Sequence, residues 1–222
     1  MRDVAQNISV IKSQLPISVK LVAVSKTKPV SDIIEVYNTG QRSFGENRVQ
    51  ELLEKKDLLP ADIDWHLIGH LQSNKVKFIV PFIGMIQSVD SYRLLVTINS
   101  EATKINGVVD CLLQIHIATE ETKFGFSMQE LNEHLQSENI LNLKNVRICG
   151  LMGMATFTSD TGQVKKEFAF LRDCFHSLRD RYFISCDYFK EISMGMSGDY
   201  NIALQEGSTM LRIGSLIFGE RK

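Results

Sequence analysis

Short apolar runs alternate with longer stretches of helical spacing along almost the whole chain, and this alternation restricts the fold more than any other feature. Eight runs have the length and composition of strands, and they span residues 19–25, 42–45, 64–69, 84–89, 108–117, 146–152, 191–195 and 209–214. The runs are continuously apolar, which is typical of parallel strands covered on both faces. The regular alternation of strand and helix therefore predicts an α/β fold with a parallel sheet.

Eight strand–helix units in a chain of 222 residues predict a closed (β/α)8 TIM barrel. A doubly wound open sheet is the main alternative, because eight strands do not by themselves require closure. Ahead of the first strand, Val4, Ile8, Ile11 and Leu15 have helical spacing and predict an extra amphipathic helix against the barrel. We find no linker, low-complexity tract or internal repeat, so we expect residues 1–222 to form a single domain.

Several polar residues stand where helices are expected to begin. Ser31, Asn47 and Ser73 each precede a helical stretch, and Ser127 with Glu130 has the spacing of a capping box. Asn47 has a second candidate role, since it also follows a strand and could reach a ligand there. Of these two roles we favour the helix cap.

Charge and cysteine content narrow the expected partners. The 25 Lys and Arg residues nearly balance the 26 Asp and Glu residues without a block of one sign, so we expect neither nucleic acid nor a membrane as a partner. The four cysteines include no Cys-x-x-Cys pair, and no apolar stretch is long enough to span a bilayer. We expect a cytoplasmic protein with reduced cysteines and a small-molecule partner.

The first predicted strand runs through Leu21 to Val24 directly into Ser25 and Lys26. Since the chemistry of a TIM barrel lies at the carboxyl ends of its strands, we expect Lys26 at the barrel mouth. A lysine held there by a rigid strand can lose part of its hydration, which frees the amine to form a Schiff base with an aldehyde. A solvated lysine after a core strand is the alternative, and the segment alone favours it.

Two loops rich in glycine and serine follow the last two predicted strands. Ser193 to Asp199 follows strand seven, and Gly214 with Ser215 closes strand eight and opens a short helical turn. Barrels often bind phosphate with these loops, because small residues let backbone N–H groups approach an anion and a hydroxyl such as Ser197 can bond it. Lys26 neighbours strand eight once the barrel closes. The sequence therefore predicts a site for a phosphorylated aldehyde, for which pyridoxal phosphate is the evident candidate.

The chain also resembles the pyridoxal phosphate homeostasis protein family at segments that occur in family order from near residue 20 to near the end of the chain. These segments are Ala23 to Pro29, Phe44 to Asn47, Trp65 to Gly69, Leu71 to Lys75, Gly195 to Ser197, Gly207 to Gly214 and Ile217 to Gly219. The resemblance implies a barrel of the fold-type III pyridoxal phosphate class, similar to the N-terminal barrel of bacterial alanine racemase. It also implies binding, buffering or delivery of the cofactor, with apo-enzymes that use the cofactor as candidate recipients.

The resemblance further implies roles for individual residues. Lys26 would form the Schiff base, the phosphate would be held by Ser197, Gly214 and Ser215, and Arg212 would face the pyridine nitrogen. An arginine can only donate hydrogen bonds, so it disfavours a protonated ring nitrogen and weakens the cofactor as an electron sink. Without the resemblance, Arg212 could equally be a strand-end arginine paired to a carboxylate.

Other residues near the predicted mouth have weaker interpretations. Met154, after strand six, could line the cofactor ring, although core filling is the simpler role. His66 and His70 are four residues apart but straddle Gly69 at a strand end, unlike a zinc-binding pair on one helix face, so we predict no metal site. The charged cluster within residues 120–123 is expected to form a solvated loop.

Three functions are compatible with a lysine imine in such a barrel. We favour a cofactor-binding homeostasis protein, because a racemase of this class adds a second domain with another catalytic residue and the barrel accounts for residues 1–222. A minimal fold-type III amino-acid racemase is the alternative, and it requires an acid/base pair that the sequence does not reveal. A class I aldolase using a lysine imine without a cofactor would show no visible chromophore. We expect a monomer or a weak dimer.

Overall fold

Eight parallel strands form the centre of the structure, a computed structural model that describes residues 3–120, 124–137 and 139–220. The predicted solvated loop contains Glu121 and Lys123, which lie outside the described residues. The strands are β1 Lys20–Val24, β2 Ser43–Glu46, β3 Asp64–Leu67, β4 Met85–Val89, β5 Val109–Gln114, β6 Val146–Met152, β7 Glu191–Ser193 and β8 Met210–Ile213.

Pairing between β1 and β8 closes the sheet into a barrel. Lys20 lies opposite Met210, and Ala23 lies opposite Ile213. This pairing rules out the open doubly wound sheet and confirms the predicted TIM barrel.

The predicted strands match the observed ones to within a few residues, and the fifth differs most. It was expected to reach residue 117, but β5 ends at Gln114. Beyond that point Ile115 makes an isolated bridge to Phe126, and Ile117 and Ala118 are buried in the loop that begins after β5. Burial alone made this loop resemble a strand.

Helices surround the barrel and cover the outer faces of its strands. They are α1 Val4–Gln14, α2 Val30–Asn38, α3 Val49–Lys56, α4 Val76–Ile79, α5 Tyr92–Lys104, α6 Met128–Gln136, α7 Thr161–Tyr182, α8 Tyr200–Gln205 and α9 Ser215–Phe218, with a 3-10 turn at Ser73–Lys75. Helix α1 confirms the predicted extra helix and packs against α9 and α2, where Asn7 Nδ2 donates to the carbonyl oxygen of Ile217 (3.0 Å). Within the described ranges, no helix is both long and apolar enough to cross a membrane.

The predicted helix caps have mixed outcomes. Ser127 caps α6 as expected, because its side chain accepts from the N–H of Glu130. The other two serine predictions are wrong. Ser31 lies inside the first turn of α2, since Pro29 has the backbone conformation of the N-cap and the helix begins directly after it. Ser73 is the first residue of the 3-10 turn, whose N-cap is Gln72.

The barrel interior holds an apolar cluster and, beside it, buried polar side chains. Alternation along each strand sends one set of side chains outward to the helices, where most of the core lies, and the other set into the lumen. The apolar lumen cluster consists of Val22, Met85, Leu112, Cys149, Met152 and Met210. Filled in this way, the barrel is a packed core, and space for a ligand is left at its carboxyl end.

Candidate functional site

A cavity of about 620 Å³ opens at the carboxyl end of the barrel. Its lining includes every residue that the sequence proposed for the cofactor, namely Lys26, Asn47, Met154, Ser197, Arg212, Gly214 and Ser215. These residues come from the ends of five different strands and the loops that follow them. Their roles in binding stay predictions, but their assembly around one space is what a shared ligand requires.

Lys26 reaches the cavity because of the register of β1. Val22 belongs to the lumen cluster and Val24 lines the cavity, so alternation turns Lys26 to the same side. The next residue, Thr27, has a left-handed backbone with φ of +64°. This conformation costs a non-glycine residue about 1–2 kcal/mol. The N–H of Thr27 donates to Glu51 Oε1 (2.5 Å), which holds the backbone beyond the lysine in place.

A buried ion cluster supports the same segment from the outer side of the barrel. Lys55 Nζ donates to the carbonyl oxygen of Ser25 (2.8 Å), to Glu46 Oε1 (2.8 Å) and to Glu51 Oε1 (2.6 Å). Ser25 Oγ also donates to Glu46 Oε1 (2.6 Å). Burial raises the pKa of Glu46, while the bonds from Lys55 and Ser25 oppose that shift. The residues on both sides of Lys26 are therefore tied to one charged cluster.

Asn47 does not cap a helix, so the preferred sequence interpretation is wrong. Helix α3 begins at Val49 with Arg48 at its N-cap, one residue later than the prediction requires. Asn47 instead lines the cavity, and its buried Oδ1 has no hydrogen-bond partner among the described residues. A buried acceptor costs free energy unless a donor reaches it, so a ligand or solvent donor fits this position. The backbone at Gly69 passes close to the backbone of Asn47, since a Cβ on Gly69 would lie 2.5 Å from the carbonyl oxygen of Asn47.

The loops after β7 and β8 meet at one side of the cavity. Ser197 Oγ accepts long hydrogen bonds from the N–H groups of Gly214 and Leu216 (3.4 Å each). Gly214 is the N-cap of α9, and Ser215 is its first residue, which confirms the predicted helical turn. Two backbone donors and a hydroxyl thus converge, an arrangement suited to an anion.

Arg212 is the buried cation of the cavity, with 3 % of its surface exposed. Its Nη1 donates to Ser193 Oγ (2.7 Å) and its Nη2 to the carbonyl oxygen of Gly153 (3.0 Å). Both acceptors are uncharged, so the alternative of a strand-end arginine bonded to a carboxylate does not describe this residue. Burial lowers the pKa of Arg212 to about 10, with Asp199 acting in the opposite direction, and the guanidinium stays charged near neutral pH.

The remaining lining residues include some that sequence reasoning missed. Met154 both lines the cavity and packs against the lumen cluster, so its core packing is observed and its contact with a cofactor stays a prediction. At another side of the cavity, His70 Nδ1 is bonded to Asp90 Oδ2 (2.7 Å) and its ring stacks on Phe124 with centroids 4.1 Å apart. Gln114 also lines the cavity, and a polar residue at the end of an apolar strand was the available signal.

The fold and the cavity together define a class: a parallel barrel with a lysine after its first strand and anion donors after its last two. The family model of the alanine racemase N-terminal domain matches residues 1–222. Pyridoxal phosphate homeostasis proteins match along most of the chain. The one from Aquifex aeolicus is 41% identical over 204 residues, covering 91% of this chain and 87% of that protein. The one from Synechocystis is 40% identical over 215 residues, covering 96% of each.

Solved structures agree with these sequence matches. PipY from Synechococcus elongatus, solved with pyridoxal phosphate (PLP) bound, superimposes with a TM-score of 0.89 at 36% identity, covering 97% of this chain and all of that one. Alanine racemase from Clostridium difficile gives a TM-score of 0.74 at 13% identity, with 99% of this chain covering 56% of that one, which shows a shared fold. The chain belongs to the pyridoxal phosphate homeostasis protein family.

Proposed function

We propose that the protein binds PLP as a Schiff base on Lys26 and serves to hold, buffer or deliver it inside the cell. The observation that carries this proposal is the convergence of Lys26, the buried Arg212 and the donors around Ser197 on one cavity. Asn47 Oδ1, a buried acceptor on the same lining, fits a ligand that also carries a hydroxyl donor. The relative PipY, whose structure contains PLP, supports the same ligand. Apo-enzymes that use PLP are the proposed recipients.

Each part of the cavity has a distinct role toward the cofactor. Lys26 supplies the amine that joins the aldehyde carbon, with loss of one water. The donors of the loops after β7 and β8 face the phosphate, and Arg212 faces the ring nitrogen. Bound in this way, PLP supplies an electron sink for carbanions, and Arg212 weakens that sink because it only donates.

A matched pair of lysine variants tests the covalent link. Lys28 also lines the cavity, but its Nζ donates to the carbonyl oxygens of Phe218 (3.1 Å) and Gly219 (2.9 Å) at the end of α9. Borohydride reduction of the protein loaded with PLP should fix the cofactor mass on the Lys26 peptide. Lys26→Ala should abolish this label and Lys28→Ala should retain it. Label on Lys28 in the unaltered protein would contradict the proposal.

The phosphate contact can be tested with two ligands. Ser197→Ala removes a hydroxyl that can donate to a charged oxygen, a bond worth about 1.5–3 kcal/mol. We expect the affinity for PLP to fall about tenfold to a hundredfold, measured by absorbance titration. The affinity for pyridoxal, which lacks the phosphate, should hardly change. An equal loss for both aldehydes would show that Ser197 does not face the phosphate.

We infer that amino-acid turnover is slow and that the minimal racemase is the weaker candidate. The loaded protein should be incubated with L- or D-alanine and followed by chiral chromatography, beside an authentic alanine racemase. Interconversion at about one per second or faster would favour the racemase. A purified protein without a visible absorption band would favour the aldolase instead, because that enzyme forms its lysine imine without a cofactor.

A further inference from the structure

A continuous chain of hydrogen bonds crosses the barrel lumen beneath the cavity. Arg212 Nη1 donates to Ser193 Oγ (2.7 Å), and Ser193 Oγ donates to Gln87 Oε1 (2.7 Å). Gln87 Nε2 lies 2.7 Å from His66 Nδ1, and His66 Nε2 lies 2.8 Å from Asp64 Oδ2. We call these five residues the lumen chain. It joins β3 and β4 to β7 and β8, which lie on opposite sides of the closed barrel.

Every bond in the lumen chain points in the same direction. Arg212 has no acceptor, so Ser193 Oγ accepts from it and directs its own proton to the Gln87 carbonyl. The Gln87 amide nitrogen can then only donate, which requires His66 Nδ1 to accept. The His66 proton therefore lies on Nε2 and is donated to the Asp64 carboxylate. A cation at one end and an anion at the other thus align all the intervening dipoles, and such alignment strengthens each bond.

The two charged ends have opposite solvation. Arg212 is buried, whereas the Asp64 side chain is 45% exposed at the amino-terminal end of the barrel. Burial acts to raise the pKa of Asp64, but hydrogen bonds from His66 and Ser43 outweigh it and leave the pKa below its ordinary value. Asp64 is thus an anion that supports, through the aligned bonds, a cation whose nearest acceptors are both neutral.

The lumen chain lies in buried, largely apolar surroundings, where the loss of a hydrogen bond costs free energy. Gln87, fully buried, lies beside the apolar lumen cluster, and its Nε2 also lies 3.1 Å from Met210 Sδ. Because Gln87 is fully buried there, a broken link would leave a buried polar group unsatisfied, which costs free energy. The guanidinium could then leave its observed orientation to find another acceptor.

We propose that Gln87 and Ser193 are positioning residues that orient the Arg212 guanidinium toward the cofactor, and that Asp64 acts on Arg212 through the same chain. This inference rests on the proposed function for its effect on PLP. The orientation of Arg212 itself is independent of the cofactor, so the two can fail separately.

The test begins with the ligand-free protein and two matched substitutions. Gln87→Leu breaks the lumen chain, and Gln41→Leu makes the same change at another buried glutamine, whose Nε2 donates to the carbonyl oxygens of Leu21 and Ser43. Exchange of the Arg212 guanidinium protons with solvent is followed by ¹⁵N NMR. We expect exchange to accelerate about twofold to tenfold in Gln87→Leu, the factor for one lost hydrogen bond. It should be unchanged in Gln41→Leu.

A second pair removes charge with little change in shape, in case Gln87→Leu does not fold. Asp64→Asn keeps an acceptor for His66 but not the negative charge. Asp110→Asn is its control, since Asp110 is a partly buried carboxylate that pairs with Arg147 (2.6 Å) outside the lumen chain. We expect faster exchange at Arg212 in Asp64→Asn alone. Equal exchange in both members of each pair would overturn the proposal.

The same variants are then loaded with PLP and their absorption bands compared. We expect the band of bound PLP to shift in Gln87→Leu and, less, in Asp64→Asn, while both controls match the unaltered protein. Altered exchange at Arg212 with an unshifted band would overturn the proposed action on the cofactor. Loss of all PLP binding in the unaltered protein would refute the proposed function, yet the exchange experiment would still test the lumen chain.

Discussion

Replacing Lys55 with methionine tests how the protein holds the segment that carries Lys26. Lys55 Nζ makes three short bonds to Ser25, Glu46 and Glu51 in a largely buried setting. Methionine keeps most of the side-chain volume but removes the charge, which leaves the carboxylate of Glu46 buried without its cation. Removing one partner of a buried ion pair costs about 3–5 kcal/mol. For a domain of this size, each kcal/mol corresponds to about 2–4 °C, so the melting temperature should fall by about 6–20 °C.

Two companion variants separate charge burial from other effects. Lys56→Met is the control, because Lys56 pairs with Asp57 near the surface (2.7 Å), and exposed pairs contribute about 1 kcal/mol or less. Adding Glu46→Gln to Lys55→Met removes the stranded charge and should recover much of the lost stability. Thermal unfolding followed by circular dichroism measures all of these changes. Failure of Glu46→Gln to recover stability would refute the reasoning.

The stability lost in Lys55→Met should also depend on pH, and the direction of that dependence can be predicted. Burial already raises the pKa of Glu46, and loss of Lys55 removes an opposing bond, so the pKa should rise further in the variant. A carboxyl group with a raised pKa in the folded state contributes full stability below its unfolded pKa and loses it as pH rises through the folded pKa. The Lys55→Met penalty should therefore shrink on acidification. A loss of stability that does not change with pH would contradict the role given to the Glu46 charge. Weaker PLP binding by Lys55→Met would link the buried ion cluster to Lys26.

Three further changes test local features. Gly195 has a φ of +97°, and a Cβ added there by Gly195→Ala would lie 2.6 Å from the Cβ of Ala203. We expect this variant to lose about 1–3 kcal/mol of stability in thermal unfolding. Gly198→Ala, where the new Cβ meets nothing within 4 Å, should be nearly neutral, and equal effects of the two changes would contradict the strain argument. Asp3→Ala removes the acceptor that caps α1 and should cost about 0.5–2 kcal/mol in urea unfolding, which an unchanged midpoint would disprove. Thiol labelling at pH 8 should modify the half-buried Cys186 before Cys149, because burial raises the pKa of Cys149 to about 12; the reverse order would refute this.

The barrel could be predicted from sequence because its main determinants are local. Apolar runs, helical spacing and the order of the elements are visible one segment at a time, and parallel pairing follows from their alternation. The lysine after β1 and the serine loops after β7 and β8 could be placed at one end for the same reason. Their assembly around a single cavity agrees with that placement.

The direction in which a side chain points, and contacts that exist only once the barrel has closed, could not be predicted from the sequence. Asn47 has the composition of a helix cap, but the start of α3 one residue later and the alternation of β2 turn it into the cavity. Gln87 and Ser193 are 106 residues apart and meet only across the closed lumen. A polar residue inside an apolar strand was the one available signal for Gln87, and it does not identify a partner on the opposite side of a barrel.

The junction between β1 and β8 brings together segments from opposite ends of the chain. Lys26 follows β1, whereas Gly214 and Ser215 follow β8, and neither side of the cavity is complete until these strands pair. Contacts so distant in sequence carry a loop-closure cost and slow folding, because a long loop must close before they form. A ligand held by both sides favours the closed barrel over the opened one by about 2.7 kcal/mol at a hundredfold excess over its dissociation constant. Occupancy of the cavity would therefore stabilise the closed barrel against opening at this junction, and protein loaded with the ligand would open there less often than empty protein.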